Sequence, residues 1–114
     1  MIQRFDVGPR MSELAVHNGV AYLAGQVAED AIQGVIGQTR QVLAEIDALL
    51  AKAGTDKTRI LRAQIFLADM GDFTGMNQAW DEWVAAGHTP PRATVQAALA
   101  RPEWKVEIVV TAAV

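Results

Sequence analysis

The sequence predicts a single α+β domain with the element order β-β-β-α-β-α-β-β. Short apolar runs between turn residues predict the strands, and two longer stretches have the spacing of amphipathic helices. The 114 residues contain no repeat, low-complexity tract or linker that would mark a second core. We therefore expect one domain over residues 1–114, built on six strands.

The first part of the chain predicts three strands. A short strand is expected at Gln3–Val7, and apolar runs follow at 14–16 and 20–23. Asn18 and Gly19 separate these two runs, and this dipeptide readily adopts the positive φ angles of a tight turn. The two runs are therefore expected to form a hairpin.

The first helix is predicted over residues 36–53. Its apolar residues recur at helical spacing and its polar residues fall largely on other faces. The apolar set is Ile36, Leu43, Ile46, Leu49, Leu50 and Ala53. Gly54 is expected to end the helix, because glycine accepts the left-handed conformation that often follows a last turn.

A fourth strand with one apolar face is predicted at Ile60–Leu67. Side chains alternate between the two faces of a strand. One face is expected to carry Leu61, Ala63, Ile65 and Leu67, and the other Arg62, Gln64 and Phe66.

The second helix is predicted from Asp72, as N-cap, to Ala86, with Gly87 ending it. Its apolar stripe is Phe73, Met76, Trp80, Trp83 and Val84, which places Trp80 in the core. Pro90 and Pro91 then force an extended approach to Arg92. Two final strands are expected at 92–98 and 105–113.

Two helices can hardly cover both faces of a six-stranded sheet. In the last strand both alternating sets of side chains are largely apolar. We therefore expect the second face of the sheet to be buried against other copies of the chain in a closed oligomer.

Composition excludes several classes of function. The net charge of −3 and the absence of a basic run argue against nucleic acid as a partner. The chain has no cysteine, which excludes disulfides and thiol nucleophiles. No signal peptide is visible and no apolar run approaches the ~20 residues that span a bilayer, so we expect a cytoplasmic protein without a membrane partner.

Several segments together resemble the RidA, or YjgF-like, family along nearly the whole chain. They are Val20-Ala21-Tyr22-Leu23-Ala24-Gly25-Gln26, Gln38-Thr39, Phe66-Leu67-Ala68-Asp69-Met70-Gly71-Asp72-Phe73 with Asn77, Pro91-Arg92-Ala93-Thr94-Val95-Gln96 and Val106-Glu107-Ile108. The stretch from Trp80 to Gln96, with Gly87-His88, is similar to the YoaB-like branch.

The resemblance implies a chorismate-mutase-like subunit, with a mixed six-stranded sheet, two helices on one face and assembly into a homotrimer. It implies hydrolysis of 2-iminoacids, or their 2-aminoacrylate tautomers, to 2-ketoacids and ammonia in clefts between subunits. No cofactor and no metal are expected. The partners would be a small carboxylate substrate and two further copies of the chain.

The resemblance assigns the substrate carboxylate to Arg92, whose planar guanidinium can donate two parallel hydrogen bonds. The alternative is an arginine in an ion pair at the subunit interface. The resemblance also assigns Glu107 to orienting substrate or water, or to moving a proton. The alternative is a carboxylate that pairs with a neighbour's Lys or Arg, since an unpaired carboxylate in an apolar strand is costly.

Other substrate-contacting candidates are weaker. Gly25, with Ala24 beside it, would offer its backbone N–H to an anion, although it could equally be needed only for its conformation. Thr94 shares a strand face with Arg92, at a place where many family members carry cysteine. Met11 and Ser12 could line the cleft, where some members carry an aromatic residue.

Arg92 and Glu107 could not share one substrate if the last two strands formed a simple hairpin, because the spacing would put them well over ~10 Å apart. Either another strand lies between those two strands, or a second subunit completes the site. A rival function is a trimeric module that binds a ketoacid without turnover. A weaker rival is ribonuclease activity, against which the acidic balance counts.

Overall fold

The computed structural model describes all residues, 1–114, and has the element order that the sequence predicts. The elements are β1 (Gln3–Val7), β2 (Ser12–His17), β3 (Val20–Leu23), α1 (Val35–Lys52), β4 (Ile60–Leu67), α2 (Phe73–Trp83), β5 (Arg92–Gln96) and β6 (Val106–Ala113). The predicted α+β class is confirmed. Neither helix is long and apolar enough to cross a membrane.

The strands form one mixed sheet in the order β1-β2-β3-β6-β4-β5. Only β4 and β5 pair in parallel; the other neighbours are antiparallel. The predicted hairpin between β2 and β3 is present, and its turn residues have φ angles of 50° at Asn18 and 77° at Gly19. Strand β4 lies between β5 and β6, so the last two strands do not pair with each other. This is one of the two expected arrangements, the one in which another strand lies between them.

Both helices cover the same face of the sheet. In β6 the side chains of Val106, Ile108, Val110 and Ala112 are buried, while the alternating ones are only half-buried. The buried set packs in one cluster with residues of α1 and α2, among them Leu43, Ile46 and Trp80. We call this covered side the helix face and the other side the open face.

Helix α1 follows its prediction closely, and Gly54 beyond it has the expected positive φ of 79°. Two polar residues in its first part, Gln38 and Thr39, are fully buried. The apolar pattern could not show this, because it counts only apolar residues.

The structure corrects the prediction for β4. Leu61 was expected on the apolar face but is 49% exposed, and Ile60 is buried instead. The register with β6 shifts between Ile60 and Arg62, so one extra residue enters the strand there. Such a bulge interrupts the alternation of side chains between the two faces.

The end of α2 also differs from the prediction. The helix stops at Trp83, because Val84 is extended (φ −60°, ψ 139°), and Gly87 takes its positive φ in the turn that follows. Phe73 is 38% exposed, and Asp72 makes no capping hydrogen bond with its side chain. Strand β5 ends at Gln96 and strand β6 begins at Val106, so both are slightly shorter than expected.

No element of the chain covers the open face. Tyr22 and Val95 on this face are 53% and 44% exposed, and Phe66 and Val109 are half-buried. An apolar surface of this kind on a central sheet is typical of an interface between subunits.

Candidate active site

Arg92 begins β5 and lies on the helix face. It pairs with Ala63 of β4, which is fully buried on that face, and paired residues of neighbouring strands point the same way. Its Nη2 donates a hydrogen bond to Asn77 Oδ1 at 2.6 Å, and its Nη1 lies 3.7 Å from Met76 Sδ. The guanidinium carbon is 5.1 Å from the centroid of the Trp80 ring. One turn of α2 therefore orients the guanidinium.

The charge of Arg92 is not neutralised within the chain. The ion pairs of the chain join Arg40 to Glu82, Lys52 to Asp6 and Arg101 to Glu103, and none includes Arg92. A neutral amide, a thioether and an indole ring orient the guanidinium without cancelling its charge. Arg92 is also exposed, so its remaining N–H groups can bind a planar anion.

Glu107 lies on the open face of β6, since Val106 and Ile108 on either side of it are buried on the helix face. Its carboxyl group makes neither an ion pair nor a hydrogen bond within the chain. A half-buried carboxylate without a donor is costly, so a group outside this chain is expected to pair with it.

Gly25 lies directly against the carboxyl group of Glu107. A β-carbon at Gly25 would be 2.9 Å from Glu107 Cδ, which is closer than real β-carbons come. Hydrogen bonds of 2.9 and 3.1 Å between the backbones of Gln26 and Ile108 hold the two segments together. The N–H of Gly25 donates no hydrogen bond within the chain, so it remains available to a ligand.

A cleft of about 540 Å³ opens beside this glycine. Gly25 and Gln26 form part of its wall, and Glu13, Glu29 and Glu45 contribute carboxylates. Gln26 is buried and its Nε2 donates to Ala24 O at 3.0 Å, which fixes the backbone next to Gly25.

Within one chain, Arg92 and Glu107 are far apart. Glu107 lies opposite Phe66, which lies opposite Val95, three residues along β5 from Arg92. At about 3.3 Å per residue and about 4.8 Å between strands, their Cα atoms are roughly 14 Å apart. Their side chains also point to opposite faces, so one subunit alone does not bring them together.

The remaining candidates lie next to Arg92, next to Gly25, or at the hairpin between β1 and β2. Thr94 is half-buried on the same face as Arg92, in register with Ile65. Ala24 is next to Gly25, and its N–H donates to Glu13 O at 2.9 Å. Met11, 52% exposed, and Ser12 lie at the hairpin between β1 and β2. We call Arg92 with Thr94 the β5 half-site, and Gly25 with Glu107 the β6 half-site.

Two residues that the sequence placed only in the core also contact Arg92. Trp80 is 4% exposed, as predicted, and its ring also supports Arg92. Met76, one residue before Asn77, contacts the same guanidinium. In the sequence, the feature that could have indicated a shared contact is the spacing of Asn77 and Trp80, which lie one helical turn apart. The structure contains no group of three or more His, Cys, Asp or Glu residues that could hold a metal ion.

Comparison with known proteins decides the family. The family profile described as Endoribonuclease L-PSP matches residues 1–114, the full chain. A RutC family protein of Haemophilus ducreyi is 59% identical over 114 residues, which is all of this chain and 97% of that protein. The chain belongs to this family. The RutC family protein YoaB of Escherichia coli is 50% identical over 113 residues and places the chain in the YoaB-like branch of this RidA, or YjgF, family.

Solved structures agree with this assignment. A member of the YjgF protein family from Neisseria meningitidis is 51% identical and superposes with a TM-score of 0.95, over 99% of this chain and 94% of that one. An uncharacterised protein from Pseudomonas aeruginosa is 43% identical, with a TM-score of 0.97, over 99% of this chain and 98% of that one. The predicted family, its branch and the YjgF fold are therefore confirmed.

Proposed function

We propose that this member of the RidA family hydrolyses 2-iminoacids, or their 2-aminoacrylate tautomers, to 2-ketoacids and ammonia. The observation that carries the proposal is the guanidinium of Arg92, which Asn77 and Trp80 orient and no carboxylate neutralises. A planar guanidinium in a fixed position is suited to a small carboxylate, because it can donate two parallel hydrogen bonds.

Glu107 has the chemistry that hydrolysis of an imine requires. Water adds to the carbon of the protonated C=N bond and loses a proton to the carboxylate of Glu107, which gives a neutral carbinolamine. Glu107 then returns the proton to the nitrogen and accepts the hydroxyl proton as the C–N bond breaks and the C=O bond forms. Ammonia takes this proton from Glu107 and leaves as ammonium. The reaction consumes one water and uses no cofactor.

The two half-sites lie on opposite faces of one sheet, so the proposal requires a second subunit to bring them together. A homotrimer that packs its open sheet faces inward would bury Tyr22, Phe66, Val95 and Val109 and would place each β5 half-site beside a neighbour. The protein would act in the cytoplasm, close to the enzymes that release imines.

The decisive experiment measures turnover. An amino acid oxidase generates imines from several amino acids in the presence of the protein, and ketoacid formation is followed against a buffer blank. We expect the protein to accelerate ketoacid formation. If the rate equals the blank for every imine while calorimetry shows binding of a ketoacid, the protein is a binding module without turnover.

The description of the family profile names an endoribonuclease. Ribonuclease activity is nevertheless the less favoured function for this chain. The net charge is −3, and the largest cleft presents Glu13, Glu29 and Glu45, which would repel phosphates. Cleavage of single-stranded RNA that depends on Arg92 would contradict the proposal.

Gly25→Ala is expected to lower imine turnover about tenfold or more with little change in thermal stability. The new methyl group would meet the end of the Glu107 side chain, which can rotate away at small cost but then leaves its catalytic position. Turnover and melting temperature are measured together. Gly34→Ala is the matched control, because nothing lies within 4 Å of its β-carbon position. Full activity of Gly25→Ala would show that the position of Glu107 does not matter.

A further inference from the structure

Two irregular segments determine where the β6 half-site lies. The first, residues 24–34, joins β3 to α1 and contains Gly25. The second, residues 103–105, leads directly into β6 and ends two residues before Glu107. Neither segment is part of a helix or strand, so contacts other than the regular hydrogen bonds of helices and strands fix their relative position.

Gln38, in the first turn of α1, joins the two segments. Its Nε2 donates to Ala31 O and Gln33 O of the first segment at 3.2 and 2.9 Å, and to Glu103 O of the second at 3.1 Å. Its Oε1 accepts from the N–H of Lys105 at 2.9 Å. The side chain has no exposed surface.

A primary amide fits this arrangement, with its two N–H groups shared among three carbonyl oxygens. Three carbonyl oxygens face one end of the Gln38 side chain and one N–H faces the other end, so a donor and an acceptor are both required. A carboxylate would repel the three carbonyl oxygens, and an apolar side chain would remove the partner of all four backbone groups.

The two segments are also joined close to Gly25 and Glu107. Trp104 Nε1 donates to Ala28 O at 3.1 Å, and the backbones of Gln26 and Ile108 exchange two hydrogen bonds. These contacts form one continuous connection from Gln38 to the place where Gly25 meets Glu107. A shift of the second segment relative to the first would therefore move the carboxyl group of Glu107.

We propose that Gln38 is a positioning residue, which acts on the reaction through Glu107 by fixing residues 103–105 against residues 24–34. This inference rests on the proposed hydrolysis. It predicts that loss of Gln38 affects turnover and leaves binding of the carboxylate largely intact, because Arg92 is held separately by Asn77 and Trp80.

Gln38→Met, which keeps the size of the side chain, tests the proposal. We expect kcat per folded protein to fall by roughly tenfold or more, while KM changes by less than about threefold. Thr39→Val is the matched control. Thr39 is equally buried, but its hydroxyl donates only to Val35 O of its own helix, at 2.7 Å. If both variants lower kcat equally, or Gln38→Met raises KM instead, Gln38 has only a structural role.

Amide hydrogen exchange in the unmodified protein gives a test that needs neither a variant nor turnover. We expect the N–H groups of Gln26, Lys105 and Ile108 to exchange through one shared opening, slower than the surrounding loops. Exchange of Lys105 that is independent of Gln26 and Ile108 would refute the coupling, even in an active enzyme. Absence of turnover with coupled exchange would instead refute the proposed hydrolysis.

Discussion

Arg92→Ala is expected to lower kcat/KM for imine hydrolysis on the order of 100-fold or more. In the proposed mechanism the variant loses two charge-assisted hydrogen bonds to the substrate carboxylate, each worth about 1.5–3 kcal/mol. No other cation of the chain is positioned by Asn77 and Trp80, so nothing replaces the lost group. Steady-state kinetics with imines generated in place measure the loss.

Two further variants make this result specific. Arg92→Lys keeps the charge but not the planar pair of donors, so we expect it to recover only a small part of the lost activity. Arg40→Ala removes an exposed arginine whose pKa is raised by its hydrogen bond with Glu82, and it should leave activity unchanged. If Arg92→Ala retained most of the activity with a normal melting temperature, the assignment of the carboxylate to Arg92 would be wrong.

The sequence predicted the local elements well because their signals are local. The Asn18-Gly19 turn, the apolar period of α1 and Gly54 after it depend on a few neighbouring residues, and the structure confirms each of them. The bulge at Ile60–Arg62 could not be predicted in the same way. It depends on how β4 pairs with β6, more than forty residues later in the chain.

The end of the second helix was predicted wrongly for a related reason. Trp83 and Val84 continue the apolar period of α2, yet the helix ends between them. Trp83 Nε1 donates to Asp47 Oδ2 of α1 at 2.9 Å, and Lys57 Nζ donates to Trp83 O. These contacts from other elements occupy the end of the helix, and a pattern within the helix cannot show them.

The candidate site was predictable in its residue types but not in its geometry. The resemblance pointed to Arg92, Glu107 and Gly25, and spacing alone indicated that the first two could not meet in a simple hairpin. Arg92 and Glu107 lie on opposite faces because their partners in β4, Ala63 and Phe66, are three residues apart. A register between distant strands could not be predicted from the sequence. The buried amide of Gln38 was missed because a polar residue in an amphipathic helix is read as exposed.

The strand order places β6 in the interior of the sheet, between β3 and β4. Val109 lies on the open face of β6, opposite Gln64 of β4. A lysine there would remain in water in a single subunit, so the fold of the subunit should survive. In an inward-packed trimer, three lysines would meet in the interface without partners, at a cost of about several kcal/mol for each buried charge.

Val109→Lys is therefore expected to convert the protein into folded monomers of 12.3 kDa and to abolish imine turnover. Sedimentation, circular dichroism and kinetics measure assembly, fold and activity separately. Ile32→Lys is the matched control, because Ile32 is 96% exposed in the segment between β3 and α1, and it should leave all three unchanged. Active Val109→Lys monomers would show that one subunit holds a complete site. Since Arg92 and Glu107 are roughly 14 Å apart on opposite faces of that subunit, such activity could not involve both residues and would overturn the proposed mechanism.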